Sequence, residues 1–135
     1  MSNLFKLFCG LFLLQLSMGC GDQATINPSD LSGTSWTLQR MPGGLPAGVD
    51  INLQFEINRI AGKGVCNRYF SEYTMKGNRI TFLGVAATEM MCMEHSEVET
   101  RYFQSLEKVE TIALEEDQLT LSTPDGALLF SAAER

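Results

Sequence analysis

Past residue 20 this chain holds two cysteines, Cys66 and Cys92, each in a short stretch of distinctive composition. The first stretch is Gly64-Val65-Cys66-Asn67-Arg68-Tyr69 and the second is Thr88-Glu89-Met90-Met91-Cys92. Thiols in a domain outside the cytoplasm tend to oxidise, so the first expectation is a bridge between these two. Such a bridge limits the fold severely, because a strand ending near Cys66 must then lie against whatever follows Cys92. Closing a loop of this size contributes about 3 to 4 kcal/mol, chiefly by restricting the unfolded chain.

The amino terminus bears on the compartment. Met1 to Gly19 carries one charge, Lys6, then an apolar run from Leu7 to Leu14. That run is shorter than the roughly 20 residues needed to cross a bilayer core, and it fits a removable export signal better than a permanent span. Ser17-Met18-Gly19-Cys20 resembles the bacterial lipobox, with Ser17 where leucine is usual and Leu16 one step further out. The resemblance implies residues 1–19 as a lipoprotein signal peptide, and acylated Cys20 as the mature amino terminus and membrane anchor. Gly21 follows, rather than the aspartate that retains lipoproteins at the inner membrane, so an outer-membrane position facing the periplasm is expected. Residues 20–30 are polar except for Ile26 and read as a tether. Residues 31–135 are then the folded domain.

Net charge is −6, and the one charge lost with the leader is positive. With no basic cluster to compensate, nucleic acid and anionic lipid surfaces are disfavoured as partners. A hydrophobic content of 44% with 19% charged residues is enough for a true core.

Period-two alternation dominates the domain. Ser35 to Arg40 places Trp36 and Leu38 on one face, and Trp36 reads as a core anchor. A Pro- and Gly-rich loop over 41–50 leads to the clearest alternation, with Ile51, Leu53, Phe55 and Ile57 apolar and Asn52, Gln54 and Glu56 wet. Asn58-Arg59 turns the chain into a strand ending at Cys66. Tyr69 to Met75 and Arg79 to Leu83 form a pair around the Gly77-Asn78 turn. Asn67 reads as structural, its amide satisfying backbone groups between strands. Ser96-Glu97-Val98-Glu99 matches a capping box and predicts a helix start. Val98, Tyr102, Leu106 and Val109 form its apolar stripe with Phe103 beside it, while Glu97, Glu99 and Glu107 read as solvated surface. Three further strands follow over 111–114, 118–122 and 127–131. The expected class is α+β, a curled antiparallel sheet resembling a half-barrel, packed on one main helix.

The opening Leu31-Ser32-Gly33-Thr34-Ser35-Trp36, the two cysteine stretches in this order, and Leu119-Thr120-Leu121 near the end together resemble the META domain of the HslJ family. The resemblance covers about Leu31 to Ala133. It implies a lipid-anchored envelope protein in stress response or envelope maintenance, without a catalytic constellation to carry over. The family also resembles secretin pilot proteins in shape, which implies binding of an apolar tail or peptide.

Two further chemistries can be weighed on the residues. Met90, Met91, Cys92, Met93 and His95, with Cys66 nearby, have the softness that suits Cu(I), although methionines more often fill core gaps. Cys92 with His95 could suggest a thiol nucleophile, yet no orienting third residue is identifiable, and oxidation would disable it. There is no Gly-rich phosphate loop or metal-spaced histidine cluster, so neither catalysis nor a cofactor is expected. What remains is an interaction module with an envelope protein as partner, or a carrier holding an apolar ligand. For the carrier, Trp36, Phe55, Tyr73 and Phe103 are the candidate lining.

Overall fold

A computed structural model describes residues 24–134. Its elements run α1 (Pro28–Leu31), β1 (Ser35–Arg40), β2 (Asn52–Phe55), β3 (Arg59–Lys63), β4 (Arg68–Lys76), β5 (Arg79–Phe82), β6 (Ala86–Ala87), α2 (Ser96–Glu107), β7 (Thr111–Glu115), β8 (Gln118–Thr123) and β9 (Gly126–Ala132). Eight strands pair antiparallel round the ring β1-β2-β3-β4-β5-β7-β8-β9 and back to β1. Short β6 lies beside β4, with Tyr69 opposite Ala87 and Phe70 opposite Ala86.

The half-barrel packed on one main helix is therefore overturned: the sheet closes into a barrel, the protein is mostly β, and α2 has only 12 residues. The physical reason lies in the edges. A curled antiparallel sheet ends in two rows of unpaired N–H and C=O groups, and closure removes both. Here closure joins the two ends of the domain, with Trp36 opposite Ala132 and Leu38 opposite Phe130. Elsewhere it depends on one pair, Arg79 opposite Thr111. Alternation in sequence reports which face a residue takes and not which strand lies alongside.

Inside, the expected periodicity holds along most strands. Leu53, Phe55, Ile60, Ile80, Leu119 and Leu121 are all buried, and an eight-stranded barrel is just wide enough to be filled by such side chains. Trp36 is buried too, its indole N–H donating to Thr34 Oγ1 at 2.8 Å. Ile57 departs from expectation and is 77% exposed. The chain is already turning there, with Glu56 N–H bonded to Arg59 O at 2.8 Å, so the alternation outlasts the strand by one residue.

In this meander, the β1–β2, β3–β4, β5–β7 and β8–β9 connections all fall at one end. Helix α2 belongs to one of them and closes that end against the other three. Arg101 donates to Gly44 O at 2.7 Å, Lys108 pairs with Asp125 at 2.9 Å, and Glu99 binds the β3–β4 turn. Val98, Tyr102 and Leu106 are buried beneath it. The expected stripe is thus real, but it plugs a barrel mouth instead of lying across an open sheet. At the opposite end α1 buries Leu31, and Ile26 is buried as well, with its N–H on Asn78 Oδ1 at 3.1 Å. Residues read as the end of a tether therefore pack onto the barrel. Among the described residues no helix is long and apolar enough to cross a membrane.

Candidate functional site

Three stretches meet at the plugged end: the β3–β4 turn, the segment from β6 into α2, and the first turn of α2. Gly64 permits the meeting. A Cβ there would lie 2.8 Å from Glu99 Oε2 and 3.0 Å from the Phe103 ring, so a side chain would push the helix off the turn. Cys66 and Cys92 are joined by a disulfide with their Cα atoms 5.9 Å apart, which ties the turn to the segment entering α2.

Asn67 is buried between them and bonded on every side. Its Oδ1 accepts the Met90 N–H at 2.7 Å and the Thr88 hydroxyl at 2.9 Å. Its Nδ2 donates to Glu99 Oε1 at 2.5 Å and to Met90 O at 3.2 Å. One amide so fixes both backbone polar groups of Met90 and the carboxylate of α2.

Glu99 is the centre of the arrangement and only 5% exposed. Its Oε2 accepts the Cys66 N–H at 2.8 Å and the Asn67 N–H at 2.9 Å. Burial pushes this carboxyl's pKa up, but N–H donors from Asn67, Cys66 and Val65 outweigh that and hold it below the ordinary glutamate value. Glu99 is therefore an ionised buried group and not the solvated surface residue expected. The capping box expected at Ser96 to Glu99 does not form. His95, in the left-handed region at φ 59°, is the N-cap, and Glu99 has turned inward to the β3–β4 turn.

Beneath this cluster Tyr69 donates to Asn52 O at 2.8 Å, which leaves Tyr102 to donate to the Tyr69 oxygen at 2.7 Å. Burial raises the pKa of both phenols well above the ordinary tyrosine value, so neither offers an accessible proton-transfer group.

The four residues considered as carrier lining occupy different places among the described residues. Phe55 packs edge-on to Tyr73 at 5.6 Å and Tyr73 to Phe82 at 6.3 Å within the barrel. Phe103 lies instead at the plugged end, 5.3 Å from Tyr69. Trp36 borders an open cleft of about 410 Å³ near Glu116 and Asp117, while Phe55, Tyr73 and Phe103 border none of the clefts described. Of the soft-metal run, one member is already bonded elsewhere. Cys92 turns inward to its bond, His95 lies 3.9 Å from Glu97, and Met90, Met91 and Met93 are 65%, 88% and 90% exposed. Cys20 lies outside the described residues. Sequence reasoning missed Glu99. The signal was Gly64 placed two residues before a cysteine and three before an asparagine, a turn built to receive something close.

The META domain family model matches residues 29–135. Heat shock protein HslJ of Escherichia coli (strain K12) is 26% identical over 132 residues, covering 94% of each chain. Among solved structures, a protein from Burkholderia xenovorans is 25% identical with a TM-score of 0.66, covering 83% of this chain and 92% of that one. A DUF4847 family protein from Bacteroides vulgatus shares the fold at a TM-score of 0.59 with 10% identity, covering 79% of this chain and 97% of that one.

Proposed function

This chain belongs to the META domain family, and from that premise we propose that it is a non-catalytic interaction module of the bacterial envelope, anchored by lipid on Cys20 in the outer membrane and facing the periplasm. Its role is envelope maintenance or stress response, through contact with another envelope protein. The similarity to a heat shock protein supports the stress assignment. The observation that carries the reading is the loop bearing Met90, Met91 and Met93. Three long apolar side chains stand in solvent on a backbone held at Met90 by Asn67 and at Cys92 by the disulfide. Exposed apolar groups in a cluster mark contact surfaces, and methionine adapts to varied partners. The polar cluster behind the loop supports a structural role, since the Glu99 oxygens are bonded to N–H groups and both thiols are in a disulfide.

A photo-crosslinking side chain at Met91 in the full-length protein, activated in the living host, tests this. A discrete envelope protein should be captured, with capture lost when Met90 and Met93 are changed to serine. Exclusive crosslinks to lipid, or none, would remove the interaction reading. Replacing Cys20 by serine should move the protein from the membrane fraction to the soluble periplasm. Native mass spectrometry of protein from its host should give the mass of the acylated chain. A co-purifying apolar molecule would favour a carrier instead.

A further inference from the structure

Glu99 Oε1 differs from its twin. Oε2 receives two backbone N–H groups, whereas Oε1 receives one, from Asn67 Nδ2, and otherwise faces Cys66 Sγ at 3.9 Å and Cys92 Sγ at 3.7 Å. Disulfide sulfurs carry no proton, so neither contact is a hydrogen bond in the oxidised chain. Asn67 Nδ2 also lies 3.5 Å from Cys66 Sγ and 3.9 Å from Cys92 Sγ, but its two hydrogens are directed to Glu99 Oε1 and Met90 O, so the sulfur lone pairs and the remaining one of Oε1 face one another. Lone pairs converge in this way where a cation belongs.

We propose that reduction converts the bridge into a metal site in which Cys66 Sγ, Cys92 Sγ and Glu99 Oε1 bind one thiophilic divalent cation of the zinc class. The distances fit. Tetrahedral zinc, with bonds of about 2.3 Å to sulfur and about 2.1 Å to oxygen, sets sulfur and oxygen about 3.6 Å apart and the two sulfurs about 3.8 Å apart. The sulfur–oxygen spacings here are already 3.7 and 3.9 Å, and the three ligand atoms lie within 4.8 Å of one another. Only the sulfurs must part, by roughly 0.9 Å each from a bonded pair. Rotation about the Cα–Cβ bond moves a cysteine sulfur on this scale.

The bridge is not the sole tie between these backbones. Asn67 holds Met90 and Glu99, Thr88 N–H bonds Arg68 O at 2.9 Å, and the Arg68 N–H bonds Thr88 Oγ1 at 3.1 Å. Those groups supply the outer shell that orients a metal-binding carboxylate. Two thiolates and one carboxylate favour zinc over magnesium or calcium, which require oxygen donors. Both cysteines are half-buried, so water can complete the fourth position.

The chemistry balances with a dithiol as reductant. It delivers two electrons and two protons, the S–S bond breaks to give two thiols, and the reductant closes to its cyclic disulfide. Metal binding then releases both thiol protons to solvent.

The test uses the mature acylated chain in detergent, reduced with a dithiol, exchanged into anaerobic buffer and titrated with Co²⁺, then back-titrated with Zn²⁺. Reduced protein should bind one Co²⁺ with thiolate-to-metal charge-transfer bands and the visible bands of tetrahedral cobalt, and zinc should displace it. Oxidised protein should show neither. Cys66→Ser and Cys92→Ser should each abolish the tetrahedral signature. Glu99→Gln should weaken binding at least about tenfold, the lower end of what even outer-shell changes cost. A reduced wild-type chain without these bands overturns the proposal, as does equal affinity in Glu99→Gln. Loss of fold on reduction would not shelter it, since a metal of this kind should then restore the native circular dichroism.

Discussion

Asn67 shows how much one side chain can settle. Its carbonyl oxygen and its amide group bond four polar groups drawn from two other segments, and the contact to Glu99 is buried at both ends. Asn67→Ala leaves Glu99 and the Met90 N–H short of partners, at about 1 to 3 kcal/mol for each buried group left unpaired. Urea unfolding with the disulfide intact should therefore show a loss of about 2 to 4 kcal/mol, and a loss below 1 kcal/mol would mean that water replaces the amide. Glu99 gives the site a pH dependence whose sign follows from its lowered folded pKa. The unfolded chain takes up this proton first, so the contribution is complete above the ordinary glutamate value of about 4.3 and is lost as pH falls from there through the folded value. Glu99→Gln should flatten the stability profile in that window, and an unchanged profile would show that other carboxylates dominate. Asn67 could be read from the sequence as a backbone-satisfying residue. Glu99 could not, because Ser-x-x-Glu at a helix start has a familiar local use and a carboxylate in a first turn is solvated by default. Only the approach of the β3–β4 turn overrides both.

Helix α2 was legible as an element, since its stripe of Val98, Tyr102 and Leu106 is buried as the spacing requires. Its placement was not, because a stripe says that a face is covered without saying by what. Two glycines of β3 and its turn show what covers it and how tightly the strands run. A Cβ on Gly62 would lie 2.3 Å from the backbone oxygen of Asn52, and only backbone displacement could relieve that. A Cβ on Gly64 would meet Glu99 and Phe103, side chains that can yield a little. Both alanine variants should destabilise, by about 1 to 3 kcal/mol for Gly64→Ala on the scale of overpacked interiors, and by more for Gly62→Ala. Thermal unfolding of the pair decides it, and the reverse ranking would locate the tight contact at the helix. The disulfide acts at this same scale. With the cysteines 26 residues apart, chain entropy assigns the bridge about 3.5 kcal/mol, to be read as the difference in denaturant unfolding between oxidised wild type and the Cys66→Ala, Cys92→Ala double variant. A difference near zero would mean that the Asn67 cluster alone orders the loop in the unfolded ensemble.

The barrel is not equally closed all the way round. Five residue pairs join β7 to β8 and six join β8 to β9, whereas β5 meets β7 through Arg79 and Thr111 alone. The flanking bonds at that seam are Ile80 N–H to Glu110 O at 3.1 Å and Ile112 N–H to Asn78 O at 2.9 Å. This is why the sequence made eight strands visible without making the barrel visible. Each hairpin carries its turn signal, but the seam lies across an intervening helix and has almost no ladder of its own. Helix α2 stays close to β5 through Glu107, whose Oε1 accepts the Val85 N–H at 3.3 Å, so parting the seam must also disturb the helix. The disulfide resists that motion, because it fixes the segment entering α2 to the β3–β4 turn. Stability in a folded chain is distributed, and regions with few backbone bonds open first. Native-state hydrogen exchange should accordingly find the Ile80 and Ile112 amides exchanging well before those of Leu119 and Leu121 in β8, which has a paired strand on each side. Reduction should hasten exchange at Ile80 and Ile112 by more than the fall in global stability explains, while β8 follows the global change. Equal acceleration at both places would mean that the barrel opens as one unit, and the bridge would then guard the whole fold instead of its seam.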